Sequence, residues 1–202
     1  MNTRRAREKA LRRDLVLQAA ERVFGRRPFH EATMQMVAAE ADLGMQSLYE
    51  QFPSKQELYE AVILHRARTF QVRLEEALDS LADPLDQLTA VARVRARMFT
   101  ESPAFLPVFL AERVRCNWGV RSRSSRRIGG IMKDASQRLE GIIERGVTVG
   151  LLRREDPAFL VHLFNDTLTA ALYAHQTNPQ EEIETCIQRA IRAFLHGTAA
   201  ES

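Results

Sequence analysis

The chain has 202 residues, of which 45% are hydrophobic, and its formal net charge at pH 7 is +3. This composition suits one or two compact domains with a sizeable buried core. No run of 18 apolar residues is present, which excludes a transmembrane helix, and the basic N-terminus lacks the apolar stretch of a signal peptide. Cys116 and Cys186 are far apart in the sequence, so we expect two reduced thiols in a cytoplasmic protein.

The net charge is unevenly distributed along the chain. Residues 1–27 hold nine Lys and Arg against three acidic residues, so they carry +6 and the remainder carries −3. A basic N-terminal segment followed by a mildly acidic remainder is typical of a protein that binds a polyanion through the basic segment. A disordered, solubilising tail would have the same composition, and the charges alone leave this alternative open.

The chain contains many helix signals and no strand signal. Neither an alternating Val/Ile/Thr/Tyr run nor an Asn-Gly or Asp-Gly hairpin turn occurs. Four helix starts are marked by a cap residue followed by Pro, at Asp83, Ser102, Asp156 and Asn178, and Ser54–Glu57 forms a capping box. These signals predict an all-α fold of about nine helices, over residues 8–25, 33–40, 45–51, 54–80, 84–100, 103–114, 122–148, 157–175 and 180–196.

Residues 33–58 combine two short helices, a tight turn and a capped third helix. Apolar residues recur here at helical spacing, and Asp42–Gly44 interrupts that spacing over the length of a helix-turn-helix turn. After the turn, Met45, Gln46 and Ser47 open a helix of barely two turns. Such a helix has little interior of its own to bury, so we expect it to reach outward, and DNA is the obvious target.

Residues 12–63 resemble the tetracycline-repressor (TetR) family, over about a quarter of the chain. The resemblance lies in an Ala-Ala helix, a Thr-capped helix, a short Leu-Tyr helix and a Phe-x-Ser-Lys-x-x-Leu segment. These are Ala19–Phe24, Thr33, Leu48–Tyr49 and Phe52–Leu58. The family resemblance implies a helix-turn-helix DNA-binding domain over residues 1–53 and a helical effector-binding and dimerisation domain over residues 54–202.

Both turns of this segment, the one before the Thr-capped helix and the one after it, depart from the family pattern. Pro28 and Asp42 stand where Gly is usual, and position 42 needs a positive φ, which Asp tolerates better than most residues. Gly44 replaces a Ser cap, at a cost of only a few tenths of a kcal/mol. Met45 and Gln46 replace a pair that is commonly basic and then small. The resemblance therefore implies the fold but no operator sequence.

The resemblance also implies which residues read bases. Gln35, Met45 and Gln46 match positions that face the major groove, where Gln pairs with adenine N6 and N7 and Met packs against a thymine methyl. Arg4 and Arg5 belong to a basic segment, residues 4–13, that could reach an adjacent groove as an arm.

Phosphate contacts are expected from four other residues. By the same resemblance these are Thr33, Ser47, Tyr49 and Lys55, and Lys55 also lies at a helix N-terminus, where the helix dipole favours anions. An alternative for Tyr49 is packing between the first and fourth helices, and its ring could pack while its hydroxyl points outward.

The helical body is where the resemblance places a small-molecule effector. An effector pocket is typically apolar with a few polar groups, and ordinary core packing is the alternative for each bulky residue. The candidates are Phe70, Met98, Phe99, Phe105, Phe109, Trp118, Met132 and Phe164. The Arg-rich segment 113–127 could attract an anionic effector, or it could be a solvated loop.

Enzyme and metal-site patterns are absent from the sequence. His162 and Asp166 share a helical face, but no third ligand is evident, so we expect no metal and no cofactor. The chain has no Gly-rich phosphate loop, no His-Glu-x-x-His and no Gly-x-Ser-x-Gly, and we expect it not to be an enzyme.

The last two helices are apolar on more than one side, so both sides must be buried. A second copy of the pair would provide the cover, in a two-fold homodimer that matches a palindromic operator in double-stranded DNA. The predicted interface residues are Leu160, Leu163, Thr167, Ala171, Ile183, Ile187, Ile191 and Phe194.

Together these features predict a homodimeric, ligand-responsive transcriptional regulator, a repressor that a small apolar effector releases from its operator. Two other classes remain open at this point. The first is a non-specific DNA binder, which would use the basic N-terminal segment but show no preference for an operator. The second is a helical ligand-binding protein that has lost DNA binding.

Overall fold

The computed structural model describes residues 3–117 and 123–198, and the side chains of residues 6–114 and 133–197. Over these ranges the chain is all-α, as predicted. The helices are α1 (Thr3–Arg26), α2 (Met34–Glu40), α3 (Met45–Gln51), α4 (Lys55–Leu78), α5 (Pro84–Glu101), α6 (Phe105–Asn117), α7 (Arg123–Thr148), α8 (Pro157–Thr177) and α9 (Ile183–Thr198). Only α1 differs from its predicted bounds by more than three residues, since it begins at Thr3 instead of residue 8. Among the described residues, no helix is both long and apolar enough to cross a bilayer.

Side-chain caps begin two of the four Pro-marked helices where the sequence predicted them. The carboxylate of Asp83 accepts hydrogen bonds from the amides of Leu85 (2.8 Å) and Asp86 (3.1 Å), and Asp156 accepts one from Ala158 (3.2 Å). At Pro103 and Pro179 the chain first makes a turn, so α6 and α9 start two to four residues after the proline. Each cap-Pro pair therefore predicted a helix in the correct part of the chain. It predicted the first helical residue correctly only for α5 and α8.

The helices group into two compact units. The first unit comprises Met1–Thr69 and Ser102–Gly130, and the second comprises Phe70–Glu101 and Ile131–Ser202. This division differs from the predicted boundary between residues 53 and 54. The reason is that α2 and α3, with seven residues each, bring too little apolar surface to enclose a core with α1 alone. The first half of α4 and α6 provide the missing apolar surface.

The first unit has a core that also contains paired charges. Arg66 of α4 donates hydrogen bonds to both carboxylate oxygens of the buried Glu21 of α1, at 2.5 and 2.9 Å, and a third to the hydroxyl of Ser102. A bidentate arginine satisfies a buried carboxylate well, which allows this charge to remain inside. At Gly25 a Cβ atom would lie 2.2 Å from the carbonyl oxygen of Ala104, so only glycine permits this approach of α1 and the start of α6.

The second unit is built on α8 and α9, which pack against each other and against α5. Phe164 and Phe194 meet edge to face across the pair, with their ring centroids 5.2 Å apart. At the surface, Arg93 of α5 donates to Glu184 of α9 at 2.6 and 2.9 Å. This hydrogen bond lowers the pKa of the Glu184 carboxyl below its ordinary value.

Candidate DNA-binding surface

The turn between α2 and α3 has the backbone that the sequence predicted. Asp42 adopts φ +53°, which confirms the expectation that its position needs the left-handed region. The amide of Leu43 donates to the carbonyl of Ala38 at 2.9 Å and closes the turn. Gly44 has φ −68° and ψ 147° as the N-cap of α3, and no side chain caps this helix. Helix α3 therefore begins with backbone amide groups that no capping side chain satisfies.

Helix α3 is held in place by a single buried side chain. Leu48 is fully buried, and Phe52, directly after the helix, is almost so. A seven-residue helix anchored at one point presents the rest of its surface to solvent, and Gln46, Ser47 and Tyr49 are all exposed. The Gln46 amide donates to the carboxylate of Glu50 one turn later, at 3.2 Å. This hydrogen bond orients Gln46 along the outer face of the helix.

Helix α2 presents its polar residues on its outer side. Met34, Val37 and Ala38 are buried, whereas Thr33 and Gln35 are exposed. The Thr33 hydroxyl accepts a hydrogen bond from the amide of Met36 at 3.2 Å, which confirms Thr33 as the N-cap. Every predicted contact residue on α2 and α3 is thus available at the surface, with Met45 partly so.

Tyr49 is not packed between α1 and α4, which was the alternative to a phosphate contact. Its side chain is 46% exposed, and the aromatic contact between α1 and α4 is made by Tyr59. The Tyr59 ring meets Phe24 edge to face at 5.1 Å, and its hydroxyl donates to the buried Glu112 of α6 at 2.9 Å.

Several cations of the basic N-terminal region have structural partners that the sequence did not reveal. Arg22 and Arg26 of α1 both pair with Glu40 of α2, at 2.5 and 3.0 Å, and the hydrogen bond from Arg22 lowers the pKa of the Glu40 carboxyl. Arg13 lies 4.2 Å from the centroid of the Phe52 ring and donates to the carbonyl of Gln51 at 3.3 Å. No spacing rule links residues so distant in sequence, so composition alone could not separate these cations from DNA-binding ones.

The predicted basic arm is helical where the structure describes it. Helix α1 runs from Thr3, and residues 6–15 are all exposed. The side chains of Arg4 and Arg5 lie outside the described residues, so their predicted DNA contacts stay predictions.

Lys55 differs from the other predicted contact residues. Its ammonium donates to the backbone carbonyls of Phe29 and Ala32, both at 2.7 Å, and its side chain is only partly exposed. A direct phosphate contact would therefore compete with bonds inside the protein.

The comparisons with known proteins agree with this geometry. Residues 16–62 match the model of the bacterial regulatory proteins of the tetR family, over the same segment that forms α1–α3 and the start of α4. By this match, the N-terminal segment of the chain resembles the DNA-binding domain of the TetR family.

Relatives extend the similarity beyond the helix-turn-helix. The HTH-type transcriptional repressor NicS of Pseudomonas putida is 27% identical over 161 residues, which cover 79% of this chain and 74% of NicS. The structure of the TetR-family regulator PfmR from Thermus thermophilus superposes with a TM-score of 0.75 at 21% identity, over 93% of this chain and 99% of PfmR. AibR, solved with isovaleryl coenzyme A and operator DNA, gives a TM-score of 0.73 at 19% identity, over 89% and 96% of the two chains.

The predicted effector residues are distributed over both units. Phe105 and Phe109 lie in the first unit, with ring centroids 6.5 Å apart. The second unit holds four others: Phe70, Met98, Phe99 and Phe164. Of these six, Met98, Phe99, Phe105 and Phe164 are buried, and Phe164 packs against Phe194 in the core. Trp118 and the side chain of Met132 lie outside the described residues, as do the side chains of 115–127 in the Arg-rich segment, so the pocket stays a prediction.

The predicted dimer residues differ in how much of their surface is exposed. Five of the eight are buried within the chain itself: Leu160, Ala171, Ile187, Ile191 and Phe194. Helices α8 and α9 pack on each other and on α5, so these five side chains leave little surface for a second copy, and their place in an interface stays a prediction. Leu163, Thr167 and Ile183 are partly exposed and remain available.

The outer face of α8 carries large exposed rings that the predicted interface did not include. Phe159 is 48% exposed and Tyr173 is 49% exposed. With Leu163 and Ala170 they follow a spacing of four, seven and three residues, which keeps them on one side of the helix. This periodicity was a usable signal, since it separates the outer stripe from the inner one that contains Leu160 and Phe164.

His162 and Asp166 also lie exposed on α8. Within the described part of the chain, no three His, Cys, Asp or Glu side chains come together as a metal site would require.

Proposed function

We propose that this chain is a TetR-family regulator, a homodimeric repressor that acts in the cytoplasm, binds a palindromic operator through α2 and α3, and leaves it when a small apolar effector binds. The observation that carries the DNA-binding part is the outward set of polar residues on the helix-turn-helix. Thr33, Gln35, Gln46, Ser47 and Tyr49 are exposed, while the apolar residues beneath them are buried.

The chemistry of the outward residues suits base reading as well as phosphate contact. The Gln35 and Gln46 amides can each donate and accept, which matches adenine in the major groove. The hydroxyl groups of Ser47 and Tyr49 and the free amides at the start of α3 suit phosphate oxygens. A protein that only bound phosphate would not need two exposed amides there.

The repressor and effector assignments are supported by relatives. NicS is a transcriptional repressor, and AibR was solved with both isovaleryl coenzyme A and operator DNA. An effector that binds more tightly to a conformation in which the two α3 helices of the dimer are wrongly spaced for the operator would release the DNA. By thermodynamic linkage, operator DNA would weaken effector binding by the same factor.

Homodimer formation would use the outer stripe of α8, from Phe159 to Tyr173. Two exposed rings on one helical face are typical of a protein interface, where aromatic residues are enriched. A two-fold dimer would present its two recognition helices about 34–36 Å apart, or a multiple of that distance, to a palindromic site.

Fluorescence anisotropy with DNA from the chain's own upstream region tests this function. We expect a dimer to bind one palindromic site with a preference of at least about a thousandfold over shuffled DNA, the lower end of the usual range for specific regulators. Gln46→Ala should change the bases that matter, at about 1–3 kcal/mol. Equal binding to shuffled DNA would instead indicate a non-specific binder, and absence of binding would indicate a protein without DNA recognition.

A further inference from the structure

The ammonium group of Lys55 is engaged inside the first unit. Its Nζ atom donates hydrogen bonds of 2.7 Å to the carbonyl oxygens of both Phe29 and Ala32, and it lies 4.5 Å from the centroid of the Phe29 ring. An ammonium has three donors, so at most one remains for a ligand. Hydrogen bonds from a charged donor are about twice as strong as neutral ones.

Both carbonyls belong to the turn between α1 and α2, residues 27–33. Within this turn the carbonyl of Pro28 accepts hydrogen bonds from the amides of Glu31 (3.0 Å) and Ala32 (3.1 Å). These bonds shape the turn locally, but they do not attach it to another element. Lys55, at the start of α4, is the residue that ties two of its carbonyls to the rest of the unit.

The attachment lies next to residues that are proposed to face DNA. The carbonyl of Ala32 belongs to the rigid peptide plane that leads into Thr33, the N-cap of α2. Holding this plane fixes the direction in which α2 begins. Gln35 is in the first turn of α2, so its direction follows from that of the helix.

The other end of the attachment is firmly packed. The Phe29 ring that receives the ammonium lies 4.9 Å from the ring of Tyr59, which in turn packs on Phe24. Tyr59 is bonded to the buried Glu112 of α6. If Lys55 turned toward a phosphate, two carbonyls would lose a donor and the cation–π contact would be lost.

We propose that Lys55 is a positioning residue for α2, which orients Thr33 and Gln35 toward DNA, and that it is not a phosphate ligand. This inference rests on the proposed operator binding by α2 and α3. It assigns to Lys55 a role different from the phosphate contact that the family resemblance implies.

The salt dependence of operator binding separates the two roles. Lys55→Met keeps an unbranched stem and removes the charge and the donors, and Arg68→Met removes one charge from an exposed position of the same helix as a control. We expect Lys55→Met to weaken operator binding about tenfold and leave the slope of log affinity against log salt unchanged. A slope reduced by about 0.9 per subunit would mean that Lys55 contacts a phosphate, and would overturn the proposal.

A double-mutant cycle tests whether Lys55 acts through α2. We expect the effect of Lys55→Met to be non-additive with Gln35→Ala, on α2, and additive with Gln46→Ala, on α3. Additivity with both would overturn the proposal, because a general loss of stability would not distinguish the two helices. If the two Gln variants bind like the parent protein, the operator-contact assignment fails, while the salt slope still decides the role of Lys55.

Phe29→Leu provides a second variant in case Lys55→Met does not fold. It removes the ring beneath the ammonium and leaves the charge of Lys55 in place. We expect weaker operator binding with an unchanged salt slope. Unchanged affinity would contradict the positioning role.

Discussion

The helix-turn-helix and the α8–α9 pair both show clear apolar patterns, yet the patterns proved informative to different degrees. In α3 the sequence offers one buried contact, Leu48, so most of its other side chains were expected to face outward. Gln46, Ser47, Tyr49 and Glu50 do so, whereas Met45 and Gln51 are half-buried. In α8 and α9 the apolar residues cover two sides, and five of the eight residues predicted to meet a second copy are buried within the chain, where α8 and α9 pack on each other and on α5. A narrow apolar stripe on a helix can be buried in only one orientation. A wide apolar surface does not determine which of its faces packs inside the chain.

The largest expected effect tests the core assignment of Ile187. Ile187→Ala should lower the free energy of unfolding by about 2–4 kcal/mol, because it leaves a cavity in the packed interior of the second unit. Urea unfolding measures the change, and Gln188→Ala, at the exposed next position of α9, is the control. An Ile187→Ala protein that unfolds like the parent but dissociates into monomers would restore Ile187 to the interface.

The complementary prediction concerns the outer stripe of α8. Tyr173→Lys should weaken dimer formation by about 2 kcal/mol, or roughly thirtyfold, because it places a charge where a ring is expected to be buried. Analytical ultracentrifugation over a range of concentrations measures the dissociation constant. Ala135→Lys, exposed on α7, adds the same charge elsewhere and should change little. If both variants dimerise as the parent does, the interface does not use this stripe.

A smaller change in the free energy of unfolding is expected for the turn before α3. Asp42 has φ +53°, where glycine avoids the steric cost of a side chain. Asp42→Gly should therefore raise the free energy of unfolding by about 0.5 kcal/mol, after the greater entropy of glycine in the unfolded chain is subtracted. Ala39→Gly, exposed within α2, should instead lower it by about 1 kcal/mol. A loss of stability in both variants would show that the Asp42 side chain stabilises the turn in another way.

The smallest effect is a pH dependence at the contact between α1 and α2. The hydrogen bond from Arg22 holds the pKa of Glu40 below its ordinary value of 4.5, so the folded state binds a proton there less readily than the unfolded state. The stabilisation is present above the unfolded pKa and is lost as the pH falls through the lower folded value. The melting temperature measured between about pH 6 and pH 3 should fall less steeply in Glu40→Gln than in the parent protein. Identical profiles would mean that the ion pair does not stabilise the fold.

The local sequence was sufficient for several features that depend on neighbours in the chain. Caps at Thr33, Asp83 and Asp156 and the positive φ of Asp42 are decided within a few residues, so they could be predicted along with the helices. The outward direction of Gln46 followed for the same reason, since its helix has a single apolar anchor.

Only the tertiary structure decided which residues meet across long separations in the sequence. Glu40 pairs with Arg22, Lys55 with the turn at Phe29, and Ile187 with the interior of its own unit, and no local rule connects them. The physical reason is that a cation or an apolar side chain has many acceptable partners of equal chemistry. The path of the backbone selects one of them, and that path is set by the packing of the whole unit.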